Sequence, residues 1–130
     1  MAVRDARTAH LAAGAAAEHA AAVYLEAQRC VILLRNYRCR SGEIDLVAET
    51  PEGVIIIAEV RLRASDRYGG SAASVDWRKQ RRIQRATGHL LARQPALLRR
   101  ALRFDVLAVH PEAAGLRVEW IRHAFEATAR

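Results

Sequence analysis

Apolar and polar positions change rhythm several times along this chain, and each change marks an element. From about residue 5 to 29 alanine dominates, and Leu11, Ala15, Ala22 and Leu25 recur at three- and four-residue steps, which predicts a helix. Residues 31–34 read as a short buried strand. Gly42 opens a second strand over 43–49, and Thr50-Pro51-Glu52-Gly53 is a turn signal ahead of the apolar run 54–57, so the two runs form a hairpin. Residues 64–73, with Gly69-Gly70 and two serines, read as a loop, after which Ser74 is placed to cap a long helix reaching about Arg93. Two more strands follow at 104–109 and 116–121, then a short helix around 123–127. The order α-β-β-β-α-β-β-α predicts an α/β fold, a mixed sheet flanked by helices, in one domain spanning residues 1–130.

Strand alternation gives these elements chemical content. Glu43, Asp45, Val47 and Glu49 fall on one face of the second strand, and Ile55, Ile57, Glu59, Arg61 and Arg63 on one face of the third. If residues 50–54 form the loop, Glu49 pairs with Ile55 and Asp45 lands opposite Glu59, with Cβ atoms about 5 Å apart. Two carboxylates so close repel unless a cation joins them. Hard oxygen ligands at that separation suit Mg²⁺; the competing arrangement pairs Glu59 with Arg61 or Arg63 as a strand-end salt bridge. On the first helix Glu18 projects onto the stripe of Leu11, Gly14, Ala22 and Leu25, where it needs a partner: a metal-bound water or Arg29. On the long helix Val75, Ile83, Ala86 and Leu90 mark the inner face and Arg78, Arg81, Arg82 and Arg85 the outer one. Lys79 projects inward, either snorkelling to the edge or pointing its ammonium at the carboxylates.

Composition narrows the partners. The chain has 130 residues, 52% hydrophobic and 27% charged, enough for one core without disulfide staples. Lys and Arg total 21 against 14 acids, a net charge of +7, and Lys79 is the sole lysine. The excess is local: residues 61–104 hold 12 bases and 2 acids. A basic segment beside an acidic one suits a phosphate backbone, although a solvated arginine-rich face has the same composition. Acidic tails and mucin-like stalks are excluded. Cys30 and Cys39 lack zinc or disulfide spacing and read as two free buried thiols. Glu18 and His19 interrupt the alanine-rich start, which argues against a secretion leader, and no run approaches the roughly 20 apolar residues of a membrane span. The expectation is a cytoplasmic protein. His10, His19, His89, His110 and His123 lack ligand spacing; Trp77 and Trp120 offer rings that could stack on bases but read first as partial core, and Asp105 reads as a structural partner of Arg103.

Several motifs in order resemble one family: Gly14, Glu18, Ala22 and Leu25; Arg35-Asn36-Tyr37-Arg38; Gly42-Glu43-Ile44-Asp45-Leu46-Val47; Glu59-Val60-Arg61; Tyr68-Gly69; Lys79 with Arg82-Ile83, Ala86 and Leu90; Arg103-Phe104-Asp105-Val106; and Ala124-Phe125. They are similar to the YraN-like bacterial family, whose restriction-endonuclease-like fold is shared with archaeal Holliday-junction resolvases. The resemblance implies a PD-(D/E)xK-type nuclease core, with Asp45 and Glu59 as ligands of Mg²⁺ or Mn²⁺, the Val60 carbonyl as another, and Glu18 as an accessory acid. The family pattern ends Glu-Val-Lys, and this chain has Arg61 at the lysine position. Arginine stays protonated at any working pH, so it keeps the charge and can clamp phosphate but cannot act as a general base.

The leading expectation is therefore a Mg²⁺-dependent endonuclease-like protein acting on structured or single-stranded DNA. Glu18, Asp45, Glu59, Arg61 and Lys79 form its catalytic set, and Arg63, Arg67, Arg78, Arg81, Arg82 and Arg85 hold the flanking backbone. Two alternatives stand beside it: a catalytically silent nucleic-acid-binding module of the same fold, and a protein-interaction scaffold whose arginines meet an acidic partner. Expected partners are nucleic acid, DNA first, and a second copy of the chain; no membrane is expected.

Overall fold

The computed structural model of the chain describes residues 6–63 and 75–127. The elements are α1 (Ala6–Ala27), β1 (Val31–Cys39), β2 (Gly42–Glu49), β3 (Ile55–Leu62), α2 (Trp77–Arg93), a 3₁₀ turn (Pro95–Arg99), β4 (Leu102–Glu112) and β5 (Gly115–Phe125). The strands make one sheet in the order β1-β2-β3-β4-β5. Every neighbouring pair is antiparallel except β3 and β4, which run parallel and are joined by the crossover containing α2. The expected α/β mixed sheet flanked by helices is the fold observed.

The two helices cover opposite faces. Ala17, Ala21, Ala22 and Leu25 of α1 pack on Leu46, Ala48, Ile56, Ala58, Leu107 and Val109. Small side chains let the helix lie close to the strands, and these alanines are almost wholly buried. On the other face Val75, just ahead of α2, and Ile83, Ala86 and Leu90 within it meet Ile44, Val47, Ile55, Ile57, Phe104 and Val106. With both faces covered, the central strands are apolar almost throughout, the pattern of a strand buried on two sides.

The β2–β3 hairpin forms as its turn signal predicts. Glu49 pairs with Ile55, Thr50 accepts the Val54 N–H on its side-chain oxygen at 3.1 Å, and Gly53 takes a φ of 88° that a residue with a Cβ rarely adopts. Arg100 locks the turn from outside, donating to the Gly53 carbonyl and to Glu49. Gly42 has a different reason to be glycine. A Cβ there would lie 2.0 Å from the Arg82 carbonyl oxygen, because α2 crosses β2 backbone to backbone. Gly42→Ala is expected to cost about 1–3 kcal/mol in urea denaturation, since helix backbone rather than a flexible side chain has to move. An unchanged midpoint would contradict this close approach.

Some expectations need correction. No helix forms around residues 123–127; β5 continues to Phe125, whose ring stacks on Phe104 with centroids 4.8 Å apart. The strand turns there because His123 adopts a φ of 54° and gives its N–H to the buried Asp105 carboxylate at 3.0 Å. The first helix stops at Ala27 without a glycine. Arg29 takes the left-handed position with a φ of 67°, and the Cys30 and Arg29 N–H groups bond back to Leu25 and Glu26 carbonyls, a Schellman closure. Leu11, expected on the inner stripe of α1, is 63% exposed. The cap of α2 is Asp76, accepting from the Lys79 N–H at 2.9 Å. The expected cap Ser74 and the 64–73 loop lie outside the described residues. Trp77, expected as partial core, is 61% exposed, and of the two thiols Cys30 is buried while Cys39 is half-buried. Among the described residues no helix is long and apolar enough to cross a membrane.

Candidate functional site

The β2–β3 ladder runs from Glu49↔Ile55 to Leu46↔Ala58 and stops one pair short of Asp45 and Glu59. Asp45 instead turns its carboxylate across the gap and accepts the Val60 N–H at 2.8 Å. This contact does the work of the missing ladder bond. The Asp45 and Glu59 side chains still meet, within hydrogen-bonding reach of each other. Glu59 is 7% exposed. Burial first, and the neighbouring Asp45 charge second, push its carboxyl up to about 8. Burial also raises Asp45, against the opposing pull of the Val60 N–H and of Lys79.

Lys79 points into this pair. Its Nζ lies 3.6 Å from Glu59 Oε1 and 3.7 Å from Glu43 Oε1, so of its two expected positions the inward one is occupied. Glu59 therefore finds its cation on α2 and not, as the salt-bridge alternative had it, in Arg61 or Arg63. Arg61 is half-buried and acts on Glu59 only through its field. Glu18 on α1 is raised by burial and by the Asp45 charge, and is steadied by a hydrogen bond with Asn36 and by Arg38. Its expected partner Arg29 is instead the left-handed residue that ends α1.

The structure thus brings Glu18, Asp45, Glu59, Arg61 and Lys79 to one end of the sheet. It adds three residues that the sequence motifs contain but to which no site role was given. Glu43 bridges Lys79 and Arg38, whose Nε is 3.7 Å from Glu43 Oε2, while Asn36 bonds Glu18. The signal was present: Glu43 lies two residues from Asp45, and Asn36, with a φ of 51°, is a residue type that tolerates the left-handed region. The arginines expected to hold a backbone separate into two groups. Arg78, Arg81, Arg82 and Arg85 are exposed on the outer side of α2, whereas Arg63 follows β3 and gives its N–H to the Val109 carbonyl. Arg67 lies outside the described residues.

The donor set suits a hard divalent cation. Among the described residues no three carboxylates, histidines or thiols converge closely enough to hold an ion by themselves. Mg²⁺ commonly binds through one or two carboxylates and keeps several waters, so the Asp45–Glu59 pair is sufficient. Without an ion, the raised Glu59 carboxyl and the Lys79 ammonium limit the repulsion between the two acids. Folded Glu59 keeps its proton to about 8 and unfolded glutamate to 4.5, so the folded chain binds more protons between those values. That contribution to stability is complete below the lower value and is lost as pH rises through the upper one. Glu59→Gln is expected to flatten the decline, measured as urea midpoints across this range without metal. Parallel curves for wild type and variant would contradict it.

An α/β domain with a pair of adjoining carboxylates, one of them buried, an inward lysine and an arginine-faced helix is the class that fold and site define. The model of the uncharacterised protein family UPF0102 matches residues 17–109, and this chain belongs to that family, the YraN-like group its motifs resemble. The matched segment includes every residue of the carboxylate cluster. A UPF0102 protein of Cupriavidus taiwanensis is 45% identical over 121 residues, covering 91% of this chain and 86% of the relative. Those of Methylococcus capsulatus and Nitrosomonas europaea are 47% and 43% identical over 115 and 113 residues, 88% and 87% of this chain and 90% and 92% of theirs. Among solved structures, calcium-bound SfsA of Pyrococcus furiosus aligns with a TM-score of 0.38 at 15% identity, over 87% of this chain and 63% of that one.

Proposed function

We propose that this protein is a metal-dependent endonuclease of the restriction-endonuclease-like type, acting on structured or single-stranded DNA. The observation that carries the reading is the Asp45–Glu59 pair, two adjoining acids facing the one lysine of the chain. Buried acids whose charge is suppressed until a cation arrives are a common arrangement at catalytic centres. In a strand, a residue's N–H and C=O leave on the same side, and the Val60 N–H is turned toward Asp45, so its carbonyl is the third oxygen in reach.

Asp45, Glu59 and that carbonyl would hold Mg²⁺ or Mn²⁺, which would supply Lewis acidity for activating water at neutral pH and neutralising phosphate charge. The protein's own residues do the rest. Lys79 brings a compact ammonium to the phosphate, and Glu43 keeps it within reach of the site. Arg61, on the same strand as Glu59, grips a non-bridging oxygen without accepting a proton. Glu18 sits beside Asp45 as the accessory acid, and the outer arginines of α2, with Arg63 and Arg67, engage the flanking backbone.

Incubation with duplex, flap and four-way-junction DNA, with and without Mn²⁺, tests the reading. The expected result is metal-dependent cleavage by wild type, strengthened by Arg61→Lys. A specific observation favours one rival, the silent binding module: Lys79 is already engaged by two carboxylates and Arg61 stands at the lysine position of the motif. Cleavage by Arg61→Lys alone would support the site and remove activity from the natural chain. No cleavage by either protein, with DNA affinity indifferent to Mn²⁺, would establish the module.

A further inference from the structure

Trp77 is the one aromatic among the exposed large apolar residues described, and it opens α2 two positions before Lys79. At 61% exposure its indole contributes little to the core. Arginines surround it: the guanidinium of Arg78 lies 6.0 Å and that of Arg81 5.6 Å from the ring centroid. Trp77, Arg81 and Arg85 follow one another at four-residue steps, so they form a single stripe, and Arg78 and Arg82 run beside it. All of these arginines are exposed.

A flat ring set among cations on a convex helix face is a poor seat for a protein partner's apolar anchor, which needs a pocket. It is a good seat for a nucleobase. Bases have π faces that stack on indole whatever their sequence, and the neighbouring guanidinium groups meet the phosphates on either side. Bases inside a duplex are already stacked on one another and cannot use such a platform. We infer that Trp77 is a stacking platform for an unpaired base of bound nucleic acid, flanked by Arg78 and Arg81 as its phosphate contacts. The platform also lies close to the carboxylates. Trp77 and Lys79 leave α2 on nearly opposite sides within one turn, so a base on the indole sits on the order of 10 Å, a helix diameter, from the lysine side of the site. This inference rests on the proposed action on DNA and narrows it to strands with unpaired nucleotides beside the reacting phosphate.

Fluorescence anisotropy at low salt without metal tests it, with labelled oligothymidylate of roughly 20 nucleotides and a duplex of equal length. Wild type is expected to bind the single strand with quenching of indole emission. Trp77→Ala is expected to lose that quenching and weaken single-strand binding about tenfold while leaving duplex binding unchanged, and Trp77→Phe to restore most of the affinity. Single-strand binding unaffected by Trp77→Ala, or weakened equally with duplex binding, would overturn the platform and leave DNA binding intact. Wild type binding neither DNA, with or without Mn²⁺, would overturn both readings.

Discussion

Asp45→Asn is expected to abolish the proposed divalent-metal binding and to lower the proposed metal-dependent cleavage by about a thousandfold or more. The variant is chosen because the asparagine carbonyl can still accept the Val60 N–H that Asp45 now takes at 2.8 Å, so the end of the β2–β3 ladder stays closed. What is lost is the second negative charge of the pair. Glu59 alone is one carboxylate facing the Lys79 ammonium, and a cation entering there gains little that the lysine does not already supply. A bound metal contributes several kcal/mol of transition-state charge stabilisation, and about 4 kcal/mol corresponds to the thousandfold expected. Calorimetric titration with Mn²⁺ and the junction-cleavage assay read both effects, with a thermal melt to confirm that the variant folds. An isotherm equal to wild type would place any metal elsewhere.

Asp105→Ala destabilises the fold by about 3–5 kcal/mol, a drop of roughly 10–20 °C in the melting temperature. Asp105 is fully buried in β4 and accepts from four groups: both ends of the Arg103 guanidinium at 2.8 Å, the Trp120 indole at 2.8 Å and the His123 N–H at 3.0 Å. Removing it leaves a partly buried arginine without its counter-ion and two donors without an acceptor. Asp105→Asn retains an acceptor for the indole but turns an amide toward the guanidinium, so it should fall between alanine and wild type. Because the carboxylate joins β4 to β5 on the side away from β2, metal binding by the folded variants should be unchanged. Loss of metal affinity in parallel with stability would show that the carboxylate cluster depends on this outer strand.

How much of this was legible follows the reach of each interaction. The β2–β3 hairpin and the end of α2 at Arg93 were readable because turn residues and helical period are local. The inward direction of Lys79 followed from the same period; which carboxylate it meets depended on where α2 crosses the sheet. Asp45 and Glu59 were readable as neighbours but not as a pair beyond the last ladder rung, since a carboxylate replacing a backbone acceptor leaves no mark on alternation. The region around His123 was misread because a strand that kinks to satisfy Asp105 loses its two-residue rhythm and imitates a short helix. Arg29 hid the end of α1, because arginine is not the usual residue for a left-handed turn. Trp77 was assigned inward by residue type, and only its exposure among arginines corrects that.

The parallel pairing of β3 with β4 sets an order of assembly. Asp45 and Glu59 lie on the two strands of a hairpin closed by the turn at residues 50–54, and hairpins form in about 1–10 μs. Lys79 reaches them only when α2 docks, and β4 can pair with β3 only after the whole crossover from Leu62 to Leu102 has closed. Refolding chains are accordingly expected to hold the two acids together before their lysine arrives, with solution conditions deciding what fills the interval. Protons or divalent ions that neutralise the acids early should speed refolding, while alkaline, chelated conditions should slow it. The carboxylate pair is thereby expected to make the rate of folding sensitive to its ionic surroundings.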